Sequence, residues 1–278
     1  MIETMVYGFT IGGILYFFSV GLSLTFGTMK IINFAHGMVY ALGVYFFITI
    51  LPAVRGSFPI AAFLSVLAII PVAYVIERFI VRRLYGASLD YAIIATYAVL
   101  LIGTDLIKKI WGNVPQQVTD PVGLAIPILD FVLPVYRVII FAASIVLFFC
   151  LNLFFKKSII GKIVVAALED TEGVECLGLD VNRYFSIVFV LGSCLAVLGG
   201  VLYAPISAAD PYMGHGILLV AFAVVIVGGM GSLNGTFVSA MVLGMIMAIT
   251  GRYYSQAADT MIFVVMAGVL IYRRVRGL

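Results

Sequence analysis

Charged residues are scarce in this sequence. Asp, Glu, Lys and Arg make up 10% of its 278 residues, and 64% of the residues are hydrophobic. In typical soluble domains about a quarter of the residues are charged, so water is not the main solvent of this chain. Because one helix needs about 20 apolar residues to cross a bilayer, the length allows about eight to ten spans with short loops. The sequence therefore predicts one domain over residues 1–278, an all-α polytopic transmembrane helical bundle.

Cysteine and histidine are also rare. The cysteines are Cys150, Cys176 and Cys194, and two of them fall inside apolar runs, so no disulfide framework is indicated. The histidines are His36 and His215, which excludes a His-Glu-x-x-His zinc motif. We expect no metal site and no cofactor.

Catalytic and nucleotide-binding motifs are missing. Gly161-Lys162 is followed by Ile163 and has no upstream glycine at the P-loop spacing, so ATP cannot bind through that motif. Ser232 lacks the flanking glycines of a nucleophile elbow. Asp105 is the one acid well inside a predicted span, so no aspartyl pair is indicated. We therefore expect a protein that is not an enzyme, and the scattered basic residues do not indicate nucleic-acid binding.

Nine apolar segments are predicted to cross the membrane. They cover residues 5–27, 31–51, 58–78, 89–108, 136–155, 184–206, 215–230, 235–250 and 257–272. Lys and Arg cluster in the loops after the third and fifth segments and at the C-terminus, which predicts that these sites are cytoplasmic and the N-terminus is outside. The short segments 215–230 and 235–250 leave a re-entrant hairpin open, and the removal of one span would reverse the orientation of the N-terminus.

The most informative stretch is Ile31-Ile32-Asn33-Phe34-Ala35-His36-Gly37, which places an amide and an imidazole at the mouth of an apolar run. A polar side chain without a partner is costly in lipid, so such groups usually face a cavity or a neighbouring helix. Asn33 and His36 lie one helical turn apart, and we select them as solute-pathway residues. Tyr40 and Thr96 are further lining candidates, with ordinary helix packing as the alternative.

Two loops are longer than a simple turn. Residues 111–136 hold four prolines on the predicted outer side, where we expect a short amphipathic cap. Residues 163–177 of the inner loop predict one surface helix that ends before Gly178. Its small and acidic side chains suit docking on another protein, and an ordinary solvated connector is the alternative. The candidate docking residues are Ala166, Ala167, Glu169, Asp170, Glu172 and Gly178.

Several segments match a known family in the expected order along most of the chain. They are Gly21-Leu22-Ser23-Leu24-Thr25-Phe26-Gly27, Ile32-Asn33-Phe34-Ala35-His36-Gly37, Leu42-Gly43, Ala166-Ala167-Leu168-Glu169-Asp170, Gly178-Leu179-Asp180-Val181-Asn182-Arg183 and Gly228-Gly229-Met230-Gly231-Ser232-Leu233-Asn234-Gly235. In these segments the chain resembles the permease subunits of branched-chain amino-acid ABC importers, of the LivH type.

This resemblance implies a multi-pass protein of the prokaryotic inner membrane that forms a translocation pathway for branched-chain or related amino acids. It also implies four kinds of partner: a second related permease, two cytoplasmic ATP-binding subunits, an extracytoplasmic substrate-binding protein and the lipid bilayer. The inner loop would then hold the coupling helix that docks on an ATPase. Two alternatives stay open, a permease of the same family for urea or short amides, and an ion-coupled secondary transporter.

Overall fold

The computed structural model describes residues 2–128 and 131–276; within these ranges the side chains of residues 2, 128, 131, 168, 169 and 276 lie outside the description. The described residues form eleven α-helices and one two-stranded hairpin. The helices are α1 (Ile2–Met29), α2 (Ala35–Ala53), α3 (Phe58–Phe79), α4 (Leu89–Trp111), α5 (Val135–Lys157), α6 (Ile159–Glu169), α7 (Thr171–Cys176), α8 (Val181–Tyr203), α9 (Met213–Gly228), α10 (Leu233–Tyr253) and α11 (Ala258–Arg276). The strands are β1 (Ala125–Ile128) and β2 (Phe131–Pro134).

All nine apolar segments predicted from the sequence fall on helices. Eight helical stretches are long and apolar enough to cross a membrane, and α9 has 16 residues. The prediction of an all-α polytopic bundle with about eight to ten spans is therefore confirmed.

Helix α9, with 16 residues, packs beside the inner part of the 28-residue α1. Its second turn packs near Ile14, in the first half of α1. Just beyond its last turn, the backbone N–H of Gly231 donates to Ser23 Oγ over 3.1 Å, near the end of α1. Residues 215–250 therefore form two helices, α9 and α10, of which α10 is long and apolar enough to be a candidate membrane span.

Helix α1 begins and helix α11 ends at opposite ends of the bundle. Arg252, at the end of α10, donates to Thr4 Oγ1 over 2.7 Å at the start of α1. Arg273, in the last turn of α11, donates to the carbonyl of Val227 over 2.8 Å at the other end.

Helix α1 is the central helix, and glycines bring its neighbours into close contact. A Cβ added to Gly12 would lie 2.9 Å from the carbonyl oxygen of Ala240 in α10, and one added to Gly192 of α8 would lie 2.9 Å from the carbonyl oxygen of Gly21. Small residues allow this approach between backbones, which is how helices associate where water supplies no driving force.

The proline-containing loop differs from the predicted cap. Residues Ala125–Ile128 and Phe131–Pro134 pair as an antiparallel hairpin, and Gln116 forms a bridge with Ala209. Proline lacks a backbone N–H, so an extended ribbon tolerates Pro127 and Pro134 better than a helix interior does.

Among the side chains that the structure describes, the buried acid is Glu77, and not Asp105 as the sequence suggested. Asp105 is exposed and lies 2.5 Å from Lys108 Nζ in an ion pair at the end of α4. Glu77 is fully buried, and Arg82 Nε lies 3.1 Å from its Oε1. The hydroxyl of Tyr85 donates to the same carboxylate over 2.9 Å, and burial and this acid raise the pKa of Tyr85. Arg82 also donates to Ser186, so the cluster joins α3 to α8.

We expect Glu77→Ala to destabilise the folded chain strongly. The substitution removes the buried carboxylate that accepts hydrogen bonds from the partly exposed Arg82 guanidinium and from Tyr85, and a hydrogen bond to a charged group contributes about 1.5–3 kcal/mol. The exposed pair of Asp180 and Arg183, 2.9 Å apart, is the matched control, since exposed pairs contribute about 0–1 kcal/mol. Thermal unfolding in detergent should show a much lower midpoint for Glu77→Ala than for Asp180→Ala. Equal midpoints would contradict this role of Glu77.

Candidate functional site

The connection between α1 and α2 turns back into the bundle. Lys30, after the last residue of α1, has a φ of 54°, the left-handed conformation that ends many helices. The chain then runs extended, and His36 Nε2 in the first turn of α2 lies 3.1 Å from the carbonyl oxygen of Phe18, in the middle of α1. Helix α2 therefore begins inside the bundle.

Thr96 of α4 holds this extended connection. Its hydroxyl accepts the backbone N–H of Phe34 over 3.1 Å and lies 3.2 Å from the carbonyl oxygen of Ile32. Irregular backbone at membrane depth is tolerated only where protein or water satisfies its polar groups. Thr96, predicted as a lining residue, thus satisfies the backbone beside Asn33.

The predicted pathway residues Asn33, His36 and Tyr40 lie together in the interior and are at most 2% exposed. Both amide atoms of Asn33, Nδ1 of His36 and the hydroxyl of Tyr40 have no hydrogen-bond partner among the described residues. Most buried polar groups in native proteins are paired, so a concentration of unpaired groups marks a place where another molecule or another conformation supplies the partner.

Helix α1 carries two further unpaired groups that the sequence reasoning missed, on a different side from the one where Phe18 contacts His36 and Tyr40; the Tyr16 ring packs against Phe148 of α5 and Phe237 of α10. The hydroxyls of Tyr16 and Ser19 are buried and have no partner among the described residues. Their spacing of three residues, followed by Ser23 four residues later, places them on one side of the helix, and this spacing was the available signal.

The predicted single surface helix is two helices, which corrects the sequence interpretation. Helix α6 ends at Glu169 and α7 begins at Thr171. Asp170 has extended backbone between them, and its carboxylate accepts the N–H of Gly173 over 2.9 Å as the cap of α7. An aspartate competes well for this capping position, which explains the break.

The helix pair presents some of the predicted docking residues outward. Ala166, Asp170 and Glu172 are exposed, and Gly178 is exposed with a φ of 79° that ends the segment. Ala167 is 1% exposed and packs in the hydrophobic core. The side chain of Glu169 lies outside the described residues.

An open groove separates the helix pair from the turn before α10. It encloses about 550 Å³ and its walls include Ala166, Lys162 and residues 231–234. Exposed small and charged residues beside a groove at one end of the bundle can receive another protein, because small side chains permit close approach.

Eight apolar helical stretches long enough to cross a membrane, packed around buried polar side chains, place the described part of the chain in the class of multi-pass helical membrane proteins. A family model described as the permease component of a branched-chain amino acid transport system matches residues 4–272. The chain belongs to this family, and the resemblance drawn from its motifs is confirmed.

Curated relatives match along nearly the whole chain. The high-affinity branched-chain amino acid transport system permease protein BraD of Pseudomonas aeruginosa is 28% identical over 98% of this chain and 94% of its own length. The protein of the same description from Escherichia coli K12, LivH, is 25% identical over 97% of this chain and 92% of its own length. A probable branched-chain amino acid transport permease protein LivH of Methanocaldococcus jannaschii is 26% identical over 95% of this chain and 84% of its own length. The solved structure of PsaBC from Streptococcus pneumoniae in complex with Fab aligns at 16% identity with a TM-score of 0.45, over 98% of this chain and 88% of that chain.

Proposed function

We propose that this chain forms one half of the translocation pathway of an ATP-driven importer for branched-chain amino acids. The observation that carries the proposal is the buried group of unpaired polar atoms on Asn33, His36 and Tyr40. A solute path needs a few hydrogen-bonding groups on a mostly apolar wall. The relatives described above are branched-chain amino acid permeases, which favours amino acids over urea or short amides as the solute.

The proposed complex contains four kinds of subunit. A second related permease supplies the other half of the pathway, two ATP-binding subunits dock at α6 and α7, and an extracytoplasmic binding protein delivers the solute. The sequence has no P-loop, so nucleotide chemistry is assigned to the ATP-binding subunits. Closure of those subunits would reach the bundle as rigid-body motion of the helix pair.

The proposed orientation places the helix pair in the cytoplasm. Lys156, Lys157 and Lys162 lie at the same end of the bundle as Arg273. Basic residues are retained on the cytoplasmic side of the membrane. The C-terminus would then be cytoplasmic and the N-terminus outside, in the inner membrane of a prokaryotic cell.

An ion-coupled carrier is the weaker candidate. Such a carrier needs a buried charge that exchanges its ion, and the buried acid Glu77 is held by Arg82 and Tyr85 near the proposed cytoplasmic end. A carboxylate paired in this way serves the packing of α3 and α8.

Uptake by reconstituted vesicles tests the proposal. The complete complex, with ATP inside the vesicles and the binding protein outside, is expected to accumulate labelled L-leucine. Omission of the ATP-binding subunits should abolish accumulation, and dissipation of the membrane potential should not. Uptake that persists without those subunits and collapses with the membrane potential would establish the carrier instead.

A further inference from the structure

We propose that a cavity between α1, α9 and the start of α11 recognises the solute, with Asp210 and Asp259 receiving its ammonium group and Tyr40 its carboxylate. This inference rests on the proposed function and deepens it. The cavity encloses about 370 Å³, within the range of about 300–1,000 Å³ that is typical of small-molecule sites.

The cavity lies in the half of the bundle that is proposed to face outward. Its walls include Ile11 and Ile14 from the first half of α1 and Ile217 and Val220 from α9. Met247 of α10 completes an aliphatic surface. Such a wall suits a branched hydrocarbon side chain, because burial of apolar area is favourable and makes no directional demand.

Two carboxylates give the cavity a negative charge. Asp210 is half-buried and accepts the backbone N–H of Tyr212 at Oδ1 over 2.7 Å, while Asp259 is exposed at the start of α11. None of the described residues that line the cavity is basic, and neither acid forms a salt bridge within the described part of the chain. Attraction between opposite charges is stronger beside apolar walls than in water, so an ammonium group is the favoured occupant.

Tyr40 gives a second, independent indication that the cavity binds a ligand. Tyr40 borders the cavity, and its side chain is fully buried just behind the wall. Its hydroxyl has no hydrogen-bond partner among the described residues. An unpaired buried hydroxyl is unfavourable, and the carboxylate of an amino acid bound against the wall would accept its hydrogen bond.

Gly216 offers a way to close the cavity without disturbing the fold. It lines the cavity, and no atom lies within 4 Å of a Cβ built on it. Gly268 in α11 also has no atom within 4 Å of such a Cβ and does not line the cavity. Gly216→Leu and Gly268→Leu are therefore a matched pair, equal in chemistry and different in location.

Uptake by the complete complex measures the contribution of the cavity. We expect Gly216→Leu and Asp210→Asn to lower ATP-driven leucine uptake at least about tenfold, and Tyr40→Phe at least about threefold, since each removes space or a charged or hydroxyl partner. Gly268→Leu and Asp105→Asn should keep wild-type uptake, because Asp105 is an exposed acid away from the cavity. Wild-type uptake in all three cavity variants would overturn the inference.

Photolabelling separates failure of the cavity from failure of the proposed function. A leucine analogue with a diazirine in its side chain, applied to the complex without the binding protein, should label peptides that contain Tyr40 or Ile217. Excess leucine should compete, its 2-oxo acid, which lacks the ammonium group, should not, and Gly216→Leu should remove the label. Wild-type uptake without this label would overturn the cavity alone, whereas the label without ATP-driven uptake would overturn the proposed function alone.

Discussion

Ala166→Arg is expected to abolish ATP-driven uptake while the protein still inserts and folds. Ala166 is exposed on α6 and borders the groove beside the turn before α10. An arginine there would prevent close approach of an ATP-binding subunit, and a central interface residue is worth at least about 2 kcal/mol, or roughly 30-fold in affinity. Uptake and co-purification of the ATP-binding subunits should fall together.

The neighbouring Ala167 and Asp170 distinguish docking from folding of the helix pair. Ala167→Arg would place a charge in the core, where Ala167 is 1% exposed, and should lower the thermal unfolding midpoint, which Ala166→Arg should not. Asp170→Asn keeps a capping side chain for the N–H of Gly173, and Asp170→Ala removes it. Normal uptake in Ala166→Arg would reject docking at α6. If Asp170→Asn and Asp170→Ala reduce uptake equally, the loss of uptake comes from the lost charge and not from the lost helix cap.

Long apolar helices could be predicted from the sequence because their signal is local. Each crossing helix needs about 20 apolar residues, so the predicted segments and the observed helices coincide within a few residues. The hardest segment was 215–230, because α9 has 16 residues and length alone does not distinguish a short crossing helix from a hairpin. The position of this helix depends on the contacts of its two ends with α1, and such contacts are not local.

The depth of the candidate site could not be predicted for the same reason. The sequence placed Asn33 and His36 at the mouth of an apolar run, whereas the left-handed turn at Lys30 returns the chain to the level of Phe18. Glu77 was overlooked because it lies near the end of a predicted span, and its burial depends on Arg82 and Tyr85 beyond that span. Tertiary contacts made by side chains from other helices decide both positions.

Asn33→Leu is expected to change stability and transport in opposite directions. Asn33 is 2% exposed, and its amide has no hydrogen-bond partner among the described residues. Leucine is similar in shape and carries no polar group, so the fold should gain about 1–3 kcal/mol, seen as a higher thermal midpoint. Transport should fall at least about tenfold, because the group that meets the solute, or that pairs in another conformation, is lost.

Thr96→Val is the control variant for Asn33→Leu. The Thr96 hydroxyl accepts the N–H of Phe34 and contacts the carbonyl of Ile32, so its loss leaves backbone groups unpaired and should lower the thermal midpoint. A packing role for Asn33 would make Asn33→Leu resemble Thr96→Val, with stability and uptake both reduced. A gain in stability with normal uptake would show that Asn33 is not a pathway residue. If Asn33→Leu makes the chain more stable and a poorer transporter, Asn33 is a polar group that serves function at a cost in stability. Unpaired polar atoms in the interior of a native protein are expected at such functional sites.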